Sequence, residues 1–184
     1  MTAPLAEAQR FEALYRAHYA AIVAYVHRRI DPVSAEEIVA ETFAIAWRRL
    51  DTVPAEPLPW LYVVAQNLPH GERRSAARAR RNAASFAEAT KLDQGRDPAD
   101  AFAERQHVLR AFSALAKRDR EALRLVAWEG LDHRDAARVF GTSRVAFAMR
   151  VSRARRRLAT ALADADQQAD LAYNQTAQIL EGQA

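Results

Sequence analysis

Residues 131–158, LDHRDAARVFGTSRVAFAMRVSRARRRL, read as two helices joined by a tight turn. Asp132 is a strong N-cap for the first helix, and Gly141 has the freedom to adopt the positive φ that ends it. Ser143 then caps a second helix, in which apolar residues at helical spacing share one face: Phe147, Val151, Ala154 and Leu158. This second helix carries six arginines. The stretch therefore predicts a helix-turn-helix whose second helix is strongly basic.

The face opposite the apolar one is a candidate DNA-binding surface. In a helix-turn-helix, the N-terminal part of the second helix enters the major groove, where arginine neutralises phosphates and recognises guanine. A solvated basic face is the alternative, but two capped helices around a glycine turn favour DNA binding. Besides Val145, the face carries five side chains that we predict to contact DNA: Arg144, Met149, Ser152, Arg153 and Arg156.

Charge is distributed unevenly along the chain. Residues 1–160 contain 27 Lys and Arg against 19 Asp and Glu, whereas residues 161–184 contain four acidic residues and no basic one. Of the basic residues 25 are Arg, which favours planar, bidentate contacts, although codon bias would produce the same excess. A basic body with an acidic tail suits an anionic polymer better than an acidic small substrate.

The composition also excludes several kinds of chemistry. The absence of cysteine rules out disulfides, cysteine-based zinc sites and thiol catalysis. The five histidines lie far apart, and neither a glycine-rich phosphate loop nor a Gly-x-Ser-x-Gly motif occurs. We therefore expect no catalytic residue, metal, cofactor or small-molecule substrate. Without a signal peptide or an apolar span, we expect a soluble cytoplasmic protein that does not insert into a membrane.

Apolar periodicity predicts an all-α chain. Helices are expected over about residues 7–30 and 35–50, the second capped by Ser34. After a proline-rich loop, a third helix is expected to begin at Trp60 and to be kinked or interrupted at Pro69. This layout, with few glycines and abundant Ala, Leu, Glu and Arg, is typical of helical proteins.

The helical pattern fades in the middle of the chain, which divides it in two. Residues 82–100 contain Gly95 and Pro98 and have the composition of a flexible linker. The predicted fold is thus two small helical domains, 1–81 and 101–160, followed by an acidic tail over 161–184. The second domain is expected to be a helix-turn-helix of winged-helix-like type.

Short motifs follow one another in a distinctive order. The first half contains Ala35-Glu36-Glu37-Ile38-Val39-Ala40-Glu41, Phe43, Trp47, Trp60-Leu61, Asn67 and Gly71-Glu72-Arg73-Arg74. The second half contains Leu115 to Glu121, Leu131 to Ala137, Gly141 to Ser143 and Arg153 to Leu158. In this order the motifs resemble regions 2 and 4 of the extracytoplasmic-function sigma factors, the promoter-recognition subunits of bacterial RNA polymerase. The resemblance covers about residues 8–160.

The resemblance implies partners and site residues. It implies that core RNA polymerase binds Glu36, Glu37, Glu41 and Trp47. It implies that promoter DNA is bound at its −10 element by Trp60, Asn67, Arg73, Arg74 and Arg78. The loop 51–59 would help to capture an unstacked base there, and the second helix of the helix-turn-helix would read the −35 element. An anti-sigma factor that wedges between the domains is a further implied partner. For Trp47 and Trp60, plain core packing is the alternative.

The chain departs from the family pattern at several positions. Glu37 and Ala40 stand where the family has Asp and Gln, and Ala116 stands where it has Pro. Phe147-Ala148-Met149-Arg150 stands where the recognition helix commonly reads Val-Lys/Arg-Ser-Arg. The last change removes two polar contacts to the −35 element.

The sequence therefore predicts a non-enzymatic sigma factor that directs promoter-specific initiation and assists strand opening. The main alternative is a helix-turn-helix regulator that dimerises and binds an operator without polymerase. A helical adaptor that binds another protein through its acidic first half is a third possibility, but it would leave the arginine clusters without a role.

Overall fold

A computed structural model of the chain describes residues 3–69 and 98–181, which form seven α-helices. The N-terminal unit contains α1 (Ala3–His27), α2 (Pro32–Arg48), a 3-10 turn (Leu50–Thr52) and α3 (Pro57–Asn67). The C-terminal unit contains α4 (Pro98–Ala114), α5 (Lys117–Ala127), α6 (His133–Phe140) and α7 (Arg144–Glu181). The all-α class is confirmed. The residues that the structure describes contain no strand.

The N-terminal unit forms where three amphipathic helices bury their apolar faces together. Ile22 and Val26 of α1, Phe43 of α2 and Leu61 of α3 are all buried. Tyr62 of α3 stacks on a buried tyrosine of α1, Tyr25, with ring centroids 4.3 Å apart. Burial of these side chains is the main force that holds the three helices in place.

The C-terminal unit packs around the apolar face of α7. Phe147, Val151 and Ala154 are buried and Leu158 is half-buried, which confirms the core face predicted from the sequence. The ring of Phe147 meets that of Phe140 edge-on, with centroids 5.4 Å apart. The predicted core side of the recognition helix is therefore turned inward, and its opposite side faces solvent.

The two units lie against each other. Helix α3 packs against α6, and the buried apolar side chains of both units belong to one continuous cluster. Most of the linker expected over 82–100 lies outside the described residues, but α4 already begins at Pro98. Helix α7 continues to Glu181 without a break, so the described part of the predicted acidic tail extends the recognition helix.

The caps of the helix-turn-helix follow the sequence prediction. Asp132 Oδ1 accepts hydrogen bonds from the backbone N–H groups of Arg134 and Asp135, both at 2.8 Å. Ser143 Oγ accepts one from Ala146 N at 3.2 Å. Gly141 has a φ of 72° and ends α6 in the left-handed region. Local sequence chemistry therefore sets both ends of the turn.

Two boundaries differ from the prediction. Asp31, and not Ser34, caps α2, because Pro32 occupies the first helical position and the Asp31 carboxylate accepts from Ser34 N at 3.2 Å. Helix α3 begins at Pro57, three residues before the predicted start at Trp60, and ends at Asn67, which agrees with the predicted interruption at Pro69. Leu68 is extended, with a ψ of 136°, because the residue before a proline is disfavoured in the helical region.

No helix among the described residues is both long enough and apolar enough to cross a membrane.

Replacing Gly141 tests the turn. Apart from its chain neighbours, no atom lies within 4 Å of the position that a Cβ would take, so the cost of a side chain is conformational and not steric. We expect Gly141→Ala to lower the free energy of unfolding by about 1 kcal/mol, and Gly141→Asn by less, because Asn tolerates left-handed backbone. Guanidinium unfolding followed by circular dichroism measures both. Equal stability of the Ala variant and the wild type would contradict the turn.

Candidate nucleic-acid and protein interfaces

The outer face of α2 is acidic and ends in an exposed aromatic ring. Glu36 and Glu37 are exposed, and Glu41 pairs with Arg48 at 2.6 Å. Trp47 is 46% exposed and meets the ring of Phe11 edge-on, with centroids 5.1 Å apart. All four predicted polymerase-binding residues thus lie on one helix. Trp47 is not a plain core residue, because nearly half of it faces solvent.

Aromatic side chains continue this surface across α1. The ring of Tyr15 lies 4.7 Å from that of Phe43 and 4.9 Å from that of Tyr19, centroid to centroid. Both tyrosines are exposed. A row of partly exposed rings next to an acidic helix is the mixture of apolar area and charge that protein interfaces use.

A cavity of about 490 Å³ lies between the C-terminal half of α2 and α3. Trp60 and Asn67, the two −10 candidates within the described residues, both line it, together with Arg48 and Arg49. Ile45 and Val63 supply apolar wall. An apolar space with guanidinium groups beside it suits an unstacked nucleotide base, which is flat, has polar edges and is attached to an anionic phosphate backbone. Arg73, Arg74 and Arg78 lie outside the described residues.

The predicted −35 contacts share one face of α7, and every one of them is exposed: Arg144, Met149, Ser152, Arg153 and Arg156. The pKa of the Asp132 carboxyl is held below its ordinary value, chiefly by the hydrogen bond from the backbone N–H of Asp135. Helix α6 is therefore capped by a charged carboxylate at neutral pH.

Two other arginines of α7 have a structural role. Asp119 of α5 is only 1% exposed, and its two carboxylate oxygens accept from Arg150 at 2.9 Å and from Arg157. A buried carboxylate needs such partners, and these two lie two helical turns apart on α7. Asp119 thereby fixes the rotation of α7 about its axis and directs the other arginines outward.

An ion cluster joins the two units. Arg28 and Arg29 at the end of α1 meet Glu121 and Glu129 of the C-terminal unit. Glu129 accepts from both arginines, through Oε1 from Arg29 Nη1 at 2.9 Å and through Oε2 from Arg28. Arg29 also donates to Glu121 Oε1, from Nη2 at 2.8 Å and from Nε at 3.0 Å. The Glu129 side chain is 1% exposed, so this cluster is removed from water.

The surroundings of the cluster keep it charged. Burial opposes the positive charge of Arg29, but Glu121, Tyr25 and Glu129 outweigh it and raise the pKa of that guanidinium. The Arg29 guanidinium carbon also lies 3.7 Å from the centre of the Tyr25 ring. Burial, assisted by the charge of Glu129, raises the pKa of Tyr62 to about 12, so both tyrosines stay neutral.

Unmet donors lie in the cluster and beside it, where Arg124 Nη1 is 3.9 Å from Glu121 Oε2. The Nε groups of Arg28 and Arg124 are buried without a hydrogen-bond partner. Burial lowers the pKa of Arg124 to about 10. The ion pairs between the units are therefore specific, but two buried N–H donors at this contact have no hydrogen-bond acceptor.

Sequence reasoning missed Asp119, Arg28, Arg29 and Glu129, and it used Glu121 only as part of a motif. The partners in the ion cluster are about a hundred residues apart, so no local pattern connects them. The local sequence offers only Gly130, which follows Glu129 directly and adopts a left-handed φ of 65° just beyond the end of α5. Within residues 3–69 and 98–181, no group of His, Asp or Glu has the make-up of a metal site.

Comparison with known families matches both units. The profile of sigma-70 region 2 matches residues 14–79, and the profile of sigma-70 region 4 matches residues 105–158. These ranges include α2 and its neighbouring cavity in the first case and the helix-turn-helix in the second.

Curated relatives carry sigma-factor names. The chain is 35% identical over 132 residues to the probable RNA polymerase sigma factor RfaY of Xanthomonas campestris pv. campestris, which is 68% of this chain and 33% of that protein. It is 38% identical over 78 residues to the ECF RNA polymerase sigma factor SigL of Mycobacterium tuberculosis, which is 40% of this chain and 44% of that one. The match thus spans between a third and a half of the length of these relatives.

Solved structures share the fold. CnrH in complex with the cytosolic domain of CnrY aligns with a TM-score of 0.54 and 28% identity, over 87% of this chain and 96% of that one. The sigma factor RpoE bound to the anti-sigma factor NepR from Bartonella quintana aligns with a TM-score of 0.53 and 22% identity, over 83% and 96%. The chain matches the profiles of sigma-70 regions 2 and 4 in order, and its curated relatives include an ECF RNA polymerase sigma factor. The chain therefore belongs to the extracytoplasmic-function sigma factors.

Proposed function

We propose that this chain binds core RNA polymerase and directs promoter-specific initiation by recognising −10 and −35 elements and assisting strand opening. The polymerase carries out the catalysis, and the chain contributes recognition. The observation that carries the proposal is the presence of two separate candidate DNA surfaces on units that match sigma regions 2 and 4 in order. An operator-binding dimer needs only the second of them.

The acidic face of α2 is the proposed polymerase contact. Glu36 and Glu37 are exposed and free of ion pairs with the described residues, while Trp47 offers an apolar edge beside them. Charge guides encounter with a basic partner surface, and a partly exposed tryptophan supplies the buried area that slows dissociation. Contacts of both kinds on one helix suit docking against another protein better than against DNA.

The cavity beside Trp60 and Asn67 is the proposed site of −10 capture. Strand opening requires that an extruded base be held outside the stack, and one unstacked base costs only a few kcal/mol. An aromatic wall, an amide and two neighbouring guanidinium groups offer stacking, edge hydrogen bonding and phosphate contact. Binding of one base there would favour the open strand over the duplex.

Control by an anti-sigma factor is part of the proposal. The chain shares its fold with CnrH, solved in complex with the cytosolic domain of CnrY, and with the sigma factor RpoE, solved in complex with the anti-sigma factor NepR. A partner that covers α2 or keeps the two units together would block polymerase binding or promoter reading. Co-purification of such an inhibitor from the native host, and its release on activation, is the expected observation.

Reconstituted transcription tests the function. We expect the purified chain to bind core RNA polymerase as a monomer and to initiate from a defined pair of elements in a promoter library. Asn67→Ala should lower initiation from duplex promoters at least tenfold, but much less from templates whose −10 segment is already unpaired, because the opening step is then bypassed. The exposed Glu12→Gln, which removes a surface ion pair of α1, is the matched control.

Two results would count against this function. Specific binding of a dimer to duplex DNA without polymerase would identify an operator-binding regulator instead. Failure to associate with any core polymerase, with intact helical content, would remove the sigma-factor activity altogether.

A further inference from the structure

The part of the recognition helix that enters the groove is apolar. Val145 is 67% exposed and Met149 is 54% exposed, and they lie one turn apart on the face opposite the core. Ala146, between them, is exposed as well. The polar side chains of this face, Ser152, Arg153 and Arg156, begin one turn further along. Apart from Arg144, the first turns of the helix therefore offer no side chain that donates or accepts a strong hydrogen bond.

An apolar side chain has one distinctive partner in the major groove, the C5-methyl group of thymine. The occupant of this surface is set by its surroundings, because exposed arginines lie at its N-terminal end and just beyond it. That pattern fits a DNA strand whose phosphates are held by the arginines while the base edges meet Val145 and Met149. A protein partner would need acidic groups in the same arrangement.

We propose that Val145 and Met149 read thymine methyl groups in the −35 element, so that this chain replaces polar base contacts by apolar ones. The inference rests on the proposed function and deepens it, because it names the chemical group that is recognised. Arg153 and Arg156 then supply affinity through phosphate contacts and contribute little to the choice of bases.

Replacing thymine by deoxyuracil removes only the methyl group and tests the proposal. The −35 element is first selected from a randomised segment by the holoenzyme, and each thymine is then replaced in turn. We expect two adjacent or nearby thymines whose replacement weakens promoter binding by about threefold to fivefold each. In the Met149→Ala and Val145→Ala variants, replacing the thymine that the missing side chain contacts should no longer weaken promoter binding.

Val33→Ala is the matched control, since Val33 is equally apolar and exposed but lies on the other unit. The control should keep full sensitivity to deoxyuracil. A holoenzyme that initiates normally but is indifferent to every deoxyuracil overturns the thymine proposal alone. A chain that forms no holoenzyme overturns the proposed function, and the thymine proposal falls with it.

A second inference comes from the ion cluster between the units. Helix α3 packs against α6, and α6 packs against α7, so the unit that carries the −35 surface lies directly beside the helix that lines the −10 cavity. Elements centred near −10 and −35 are separated by about 25 base pairs, which is roughly 85 Å along B-DNA. DNA is too stiff to fold back over so short a length. The arrangement in which α3 touches α6 cannot engage both elements.

We propose that Arg28, Arg29, Glu121 and Glu129 form a latch that holds the free protein closed and must open before both promoter elements are engaged. The pairing makes the closed form specific, because each oxygen of Glu129 meets a different arginine of the other unit. The unmet Nε groups of Arg28 and Arg124 limit its stability, because a buried donor without a partner regains water on opening.

Glu129→Gln tests the latch, because it keeps the shape of the side chain and removes the charge that both arginines need. We expect small-angle scattering of the free variant to give a larger radius of gyration than the wild type. We also expect half-maximal transcription at a chain concentration roughly threefold to tenfold lower, because the open form no longer has to be drawn from a minor population. Glu12→Gln, in an exposed pair within α1, should change neither.

Circular dichroism checks that the Glu129→Gln variant is folded. If it is not, Arg28→Gln, which changes the half-buried partner of the same ion pair, is used instead. An unchanged radius of gyration in a folded variant overturns the latch. A larger radius with an unchanged concentration requirement overturns its role in promoter engagement. Scattering of the free protein does not depend on polymerase, so this result stands apart from the test of the proposed function.

Discussion

The carboxylate of Glu129 is the buried charge that joins the two units. It is almost completely removed from water and is held by one guanidinium on each oxygen, both from the other unit. A buried charge is tolerated only when its partners are in place, so separation of the units must either hydrate this group or leave it unpaired. The first outcome is cheap once the interface opens fully, whereas partial opening is costly. The proposed latch therefore favours two discrete arrangements, closed and open.

Each of the two candidate DNA surfaces is built within a single unit. The candidate −10 surface is a cavity between α2 and α3, and every residue that lines it belongs to the N-terminal unit. The −35 surface is a helix face whose rotation is fixed within the C-terminal unit by Asp119 and its two arginines. The described part of each surface thus lies within one unit, whereas the ion cluster and the apolar contact between α3 and α6 join the two units.

The fold was predictable where the signal was local. Helix spacing identified the core face of α7 through Phe147 and Val151, and Asp132 and Gly141 marked the ends of α6, because capping chemistry acts within a few residues. Ser34 was the wrong cap because Asp31 is equally suitable, and Pro32 decides between them. The burial of Asp119 was not predicted, because its partners Arg150 and Arg157 lie 31 and 38 residues later in the chain. The ion cluster was invisible for the same reason, its members being about a hundred residues apart.

Measuring the distance between the two units tests most directly whether the closed arrangement has to open. The chain contains no cysteine, so cysteines introduced at the exposed positions Ala17 and Ala159 carry spin labels at those sites alone. Double electron–electron resonance should give one short distance between the two spin labels in the free protein. In the complex with core polymerase and promoter DNA, that distance should be several tens of ångströms longer. The same distance in both states would contradict an account in which the closed form has to open.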